Sequence, residues 1–169
     1  EYALNNREKM LKMYDFIEFA FFNIVAFIYS VTMIMIVPFV SVYTRNADIN
    51  YIYPIFAVIF VYTSAFYILK IPSNALINIS GHFKETRWRA ILEAALTLGL
   101  SIILTKLLGI NGVVLGTGIA LAWRCLDTIV YSNKNILLCK NKKSLLRLIR
   151  VLVILSITAF FSLKMPINI

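Results

Sequence analysis

The chain has 169 residues, 60% of them hydrophobic and only 15% charged, with a mean hydropathy of +0.81. Soluble domains carry about 45–50% apolar residues, so a water-soluble globule is excluded, and charges gathered at the edges of long apolar runs describe a bilayer-spanning chain. The net charge of +9 follows from basic loops facing anionic lipid and calls for no nucleic-acid partner.

In chain order, residues 1–15 are polar and basic, with Arg7, Lys9 and Lys12 among apolar residues at helical spacing, and are expected to form a cytoplasmic amphipathic lead-in. A first span is predicted from about Phe16 to Val42, interrupted only by Glu18 and bent near its outer end by Pro38. The short polar loop Tyr43–Asn50 follows, flanked by Tyr43, Tyr51 and Tyr53, whose rings suit the head-group layer. Pro54 fits the first turn of a second span reaching Ile79, and Pro72 inside that span predicts a kink.

A basic turn from His82 to Arg89 leads into a third span, about Glu85 to Leu108. A fourth, about Asn111 to Asn133, follows after only Gly109-Ile110, so these two must run antiparallel. Residues 134–150 form a basic linker, and a fifth span is expected from near Leu145 to around Leu163. The three units are therefore the lead-in 1–15, a four-helix membrane unit 16–133 and a linker plus fifth helix, 134–169. The fold class is all-α, a polytopic helical membrane protein.

With the N-terminus in the cytosol, the inner segments carry Arg7, Lys9, Lys12, Lys84, Arg87, Arg89, Lys134, Lys140, Lys142, Lys143, Arg147 and Arg150, against Arg45, Lys106 and Lys164 outside. That asymmetry sets the orientation. Cys125 falls in an apolar helix and Cys139 in a cytosolic loop, where thiols stay reduced, so no disulfide framework is expected. With His82 as the only histidine, a zinc site or a histidine-based triad has almost no raw material.

The polar residues within the spans are ordered. Thr63, Tyr67, Lys70, Asn74 and Asn78 fall on one face of the second span, and Glu93, Thr97, Ser101 and Thr105 on one face of the third. Such faces must meet other helices or a wet cavity, because unpaired polar groups in hydrocarbon cost several kcal/mol each. Lys70, Glu93, Arg124 and Asp127 all lie in the inner halves of their helices. They either neutralise one another as structural ion pairs, with Glu93 and Asp127 as charge partners, or mark a pathway. Gly112 and Gly116 form a G-x-x-x-G face, extended by Gly118, for close helix packing beside the hinge at Gly109.

Taken in order, Pro38-Phe39, Tyr43-Thr44, Asp48, Tyr51, the run Gly81-His82-Phe83-Lys84 with Thr86, then Glu93, Ser101, Gly109-Ile110, Gly112-Val113 and Gly116-Thr117 resemble the C-terminal lobe of the polysaccharide flippases. These form the lipid-linked oligosaccharide branch of the multidrug/oligosaccharidyl-lipid/polysaccharide exporter superfamily. The resemblance covers roughly Pro38 to Asn135. It implies a chain that continues upstream into a second lobe, and a transporter that moves an undecaprenyl-pyrophosphate-linked oligosaccharide across the bacterial plasma membrane by alternating access, without covalent chemistry or a cofactor.

On that resemblance, Lys70 and Arg124, with Asn74 and Tyr67, are the candidates for receiving the lipid diphosphate, and the pair of helices around Gly109 would rock as a rigid unit. A candidate cation site would fall on Thr97, Ser101 and Thr117, which offer hydroxyls but no carboxylate. The implied partners are the lipid-linked oligosaccharide, membrane lipids, other polysaccharide-assembly proteins and the upstream lobe. A multidrug/cation antiporter of the same superfamily is the first alternative, although Lys70 and Arg124 suit an anionic cargo. A membrane polysaccharide polymerase or ligase is the second, and would need a larger outer loop than residues 43–52 provide.

Overall fold

The computed structural model describes residues 2–44, 53–139 and 141–164. Arg45, Asp48, Tyr51 and Lys140 lie outside them. The described residues are almost all helical: α1 (Tyr2–Tyr43), α2 (Pro54–Leu69), α3 (Ile71–Ile79), α4 (Phe83–Leu108), α5 (Ile110–Tyr131), a π-helical turn (Ser132–Leu137) and α6 (Lys142–Lys164). Five helical stretches, α2 and α3 counting as one, are long and apolar enough to cross a membrane.

Several boundaries differ from those expected. Residues from Tyr2 onward belong to the same 42-residue helix as the first span and continue through Pro38. At about 1.5 Å per residue this helix is some 63 Å long, twice the hydrocarbon core, so its basic first turns project beyond it. The second span is divided at Lys70, where α2 stops and α3 begins with Pro72 in its first turn. A proline there lacks the N–H that would continue the backbone ladder, so the axis breaks just before it.

The turn before α4 is only Ser80 to His82, with Gly81 at φ +76°, so Lys84 to Arg89 are helical. The expected basic linker after α5 is likewise mostly helical. The π turn consumes its first part, Leu138 adopts a left-handed conformation at φ 52°, and α6 starts at Lys142. The wider π ladder and the left-handed residue together redirect the chain from α5 into α6.

In space the helices stand in the row α4, α5, α2, α1, α6, with α6 also touching α2. One apolar core joins Phe22, Val25 and Ala26 of α1, Ala65 and Leu69 of α2, Cys125 and Ile129 of α5, and Leu148, Val151 and Leu155 of α6. α4 contributes nothing to it and packs principally on α5. Its outward side chains, among them Ile91, Leu98, Ile102 and Leu107, are exposed apolar surface of the kind that hydrocarbon solvates. The alternating helix directions gather residues 7–15, 78–89, 131–139 and 141–147 at one end, the basic end, as contacts such as Arg7 Nη2 to the Leu137 carbonyl (3.3 Å) and His82 Nδ1 to the Tyr131 hydroxyl (3.2 Å) show.

Candidate functional site

The site rests on the α4–α5 hairpin. Gly109, at φ 59° and ψ −137°, takes a conformation open to glycine alone and reverses the chain in a single residue. The two helices then lie against each other at backbone contact. A Cβ on Gly112 would overlap the Leu104 carbonyl, and one on Gly116 would stand 2.5 Å from the Ser101 nitrogen. Gly118 turns to the opposite neighbour, where a Cβ would come 2.7 Å from Thr63 Oγ1 of α2. The glycine face is thus divided between two interfaces, with α4 on one side and α2 on the other.

An antiparallel hairpin of this closeness sets depth by counting from its hinge. Glu93 lies sixteen residues before Gly109 and Arg124 fifteen after it, and the Arg124 Nε is 3.3 Å from Glu93 Oε2. Arg89 is one helical turn beyond Glu93, Asp127 one turn beyond Arg124, and these two also pair. Arg124 Nη1 reaches back to Asp127 Oδ2 at 3.0 Å on its own helix. Lys70, delivered by the α2/α3 break, pairs with Glu93 Oε1.

The result is a relay of five charges alternating in sign, Lys70, Glu93, Arg124, Asp127 and Arg89. Each carboxylate lies between two cations and the sum is one positive charge. The Arg124 side chain is only 6% exposed. Desolvating such a group costs several kcal/mol, which only this degree of pairing offsets. The two outer cations also lie over aromatic rings, Lys70 over Tyr67 at 5.0 Å and Arg89 over Tyr131 at 4.9 Å.

Beside the relay, at the basic end, is a cavity of about 430 Å³ lined by Asn74, Asn78, Lys84, Thr86, Arg87, Ala90 and Arg124. Asn74 and Asn78 are one turn apart on α3, and Lys84 and Arg87 three apart on the first turns of α4, so each pair shares a face. Among the described residues neither Lys84 nor Arg87 is in an ion pair. The cavity therefore presents three cations and two amides, a donor set suited to phosphate oxygens.

Of the four residues expected to receive a diphosphate, Arg124 and Asn74 line this cavity and the other two do not. Lys70 is engaged with Glu93, and Tyr67 is 54% exposed with its ring under Lys70. Lys84 and Arg87, counted in the sequence among the inner basic residues, line the cavity as well. Arg89 is the relay member that the sequence counted only as part of the basic turn; counting from Gly109 would have set it near Asp127.

The hydroxyls considered for a cation serve the helices. Ser101 Oγ and Thr117 Oγ1 are 3.4 Å apart across the hairpin, and both reach the Val113 carbonyl, at 3.2 and 3.0 Å. Thr97 Oγ1 donates to the Glu93 carbonyl at 2.8 Å, within its own helix. Among the described residues no group of three or more histidine, cysteine, aspartate or glutamate side chains is placed to hold a metal ion.

No protein-family model matches the chain, and neither a curated protein nor a solved structure is detectably similar to it.

Proposed function

We propose that this chain is part of a flippase that carries an undecaprenyl-pyrophosphate-linked oligosaccharide from the inner to the outer leaflet of the bacterial plasma membrane. The observation that carries the reading is the cavity joining Arg124, Lys84, Arg87, Asn74 and Asn78 at the basic end of the bundle. A diphosphate entering from the leaflet meets Lys84 and Arg87 first. It then competes with Glu93 and Asp127 for the planar fork of Arg124, which can contact two oxygens at once.

Binding in this way is electrostatically linked to the relay. As Arg124 turns toward the diphosphate, Glu93 retains Lys70 and Asp127 retains Arg89, so neither carboxylate is left uncompensated. In this reading the basic end, with the N-terminus, faces the cytosol. The α4–α5 hairpin moves as one body in alternating access, against the upstream lobe that the family resemblance implies, and the activity is transport and not enzymatic catalysis.

The test is surface-polysaccharide complementation by the whole protein, with membrane abundance followed in parallel. Lys84→Gln combined with Arg87→Gln should leave abundance unchanged and reduce surface polysaccharide severely. Full complementation by that double variant would remove the basis of the reading.

A further inference from the structure

A second polar cluster lies at the same end of the bundle, between α1, α6 and the π turn, away from the relay. Glu18 is 2% exposed. Its Oε2 accepts from Ser144 Oγ at 2.9 Å and from Arg147 Nη1 at 2.6 Å, and Ser144 in turn accepts from Asn133 Nδ2 at 3.0 Å. Arg147 Nη2 also donates to Asp15 Oδ1 at 2.7 Å. The other carboxylate oxygen, Glu18 Oε1, is buried without a hydrogen-bond donor among the described residues.

Glu18 lines a cavity of about 490 Å³ whose wall includes Tyr14, Asn133 and Cys139 and whose rim carries Lys142, Lys143 and Lys12, the last paired with Glu8 at 3.9 Å. One arginine neutralises two carboxylates here, so the floor of the cavity keeps one negative charge beneath a positive rim. A buried acceptor without a donor is costly. The charge order fixes what complements it: an N–H cation placed deep, with an anion a few bonds above it.

We infer that this cavity holds the head group of an aminophospholipid, a phosphate ester bearing a primary ammonium. The ammonium donates to Glu18 Oε1, and the phosphate oxygens accept from Lys142 and Lys143. The place suits a lipid, because the first turns of α6 and the projecting part of α1 mark the boundary between apolar and charged sequence. A choline head group has no N–H to give, and a glycerol head group brings no positive charge to the buried carboxylate. The inference does not depend on the cargo proposed above.

The readout is Cys139, an exposed thiol in the cavity wall, with the buried Cys125 as internal control. The whole protein is placed in nanodiscs and the alkylation rate at the Cys139 peptide is followed by mass spectrometry with N-ethylmaleimide. Phosphatidylethanolamine should slow alkylation about tenfold relative to phosphatidylcholine or phosphatidylglycerol, the discrimination of one charge-assisted hydrogen bond. Protection should fall stepwise through the N-methyl and N,N-dimethyl lipids.

Glu18→Gln should abolish the preference for the ethanolamine lipid. Because that substitution also alters the contacts to Arg147 and Ser144, Lys142→Ala with Lys143→Ala provides a second variant, which should weaken protection while leaving the carboxylate network intact. Soluble O-phosphoethanolamine in phosphatidylcholine discs separates the sources. No effect from it assigns the bilayer lipid, and protection equal to the lipid's assigns the same chemistry arriving from solution and overturns the lipid. Equal alkylation rates in ethanolamine and choline lipids would overturn the inference as a whole.

Discussion

Ser101 and Thr117 stand eight residues to either side of Gly109, and their hydroxyl oxygens are 3.4 Å apart. Near-equal counts from the same hinge set Leu104, five before it, against Gly112, three after, and Glu93, sixteen before, against Arg124, fifteen after. A tight glycine reversal followed by two straight helices leaves no freedom of register, so packing contacts and ion pairs are consequences of one residue's backbone conformation.

Gly112→Leu and Gly116→Leu should each destabilise the protein by about 1–3 kcal/mol or more, because a side chain has to force two backbones apart and lipid offers no compensating burial. Leu115→Ala, at a half-buried neighbour, should cost less. Melting temperatures in detergent give the comparison, and no loss in either leucine variant would mean that this face does not pack on α4.

What the sequence made legible follows from how local each signal is. Helix existence, the reversal at Gly109 and the shared faces of Lys70, Asn74 and Asn78 all depend on spacing within one or two helices, and periodicity reports those. Pro72 signalled the break at Lys70 for the same reason. The partnership of Glu18 with Arg147 and Ser144 links α1 to α6 across more than a hundred residues, and nothing near Glu18 announces it beyond the cost of a charge in an apolar run. The π turn had no signature either, since Ser132 to Leu137 contains neither glycine nor proline and its form is set by the packing of α6 on α1.

Leu138 holds a left-handed conformation at φ 52° where the chain leaves the π turn. For a leucine this costs about 1 kcal/mol, and for a β-branched residue more. Leu138→Gly should therefore melt at or above the parent temperature while Leu138→Val melts below it. A valine variant as stable as the glycine variant would contradict that backbone conformation.

On the basic asymmetry, cysteines introduced at Lys142 should be shielded from an impermeant thiol reagent in intact cells, and those at Lys106 should be labelled. Asp48, outside the described residues, belongs with Lys106 in the same orientation. Labelling at Lys142 together with protection at Asp48 and Lys106 would invert the topology.

The relay separates a purely structural role from a transport role by which charge is removed. Lys70 is held by Glu93 and does not line the cavity, so Lys70→Gln should act mainly on stability by leaving Glu93 with one cation. Combining it with Glu93→Gln should recover part of the loss, because a half-compensated carboxylate in the bundle interior is then removed together with its missing partner. Arg124 belongs to both settings. It bridges Glu93 at 3.3 Å and Asp127 at 3.0 Å, and it lines the cavity. Arg124→Lys keeps the charge but loses the fork, so abundance should fall modestly while surface polysaccharide falls further. Arg124→Gln with Asp127→Asn should restore part of the abundance lost in Arg124→Gln alone, by removing a carboxylate left with Arg89 as its one partner, without restoring transport. Complementation and membrane abundance, measured on the same cells for all five variants, distinguish the cases. Recovery of transport along with abundance in the Arg124→Gln/Asp127→Asn pair would reduce Arg124 to a structural partner and leave Lys84 and Arg87 as the only cations for a cargo.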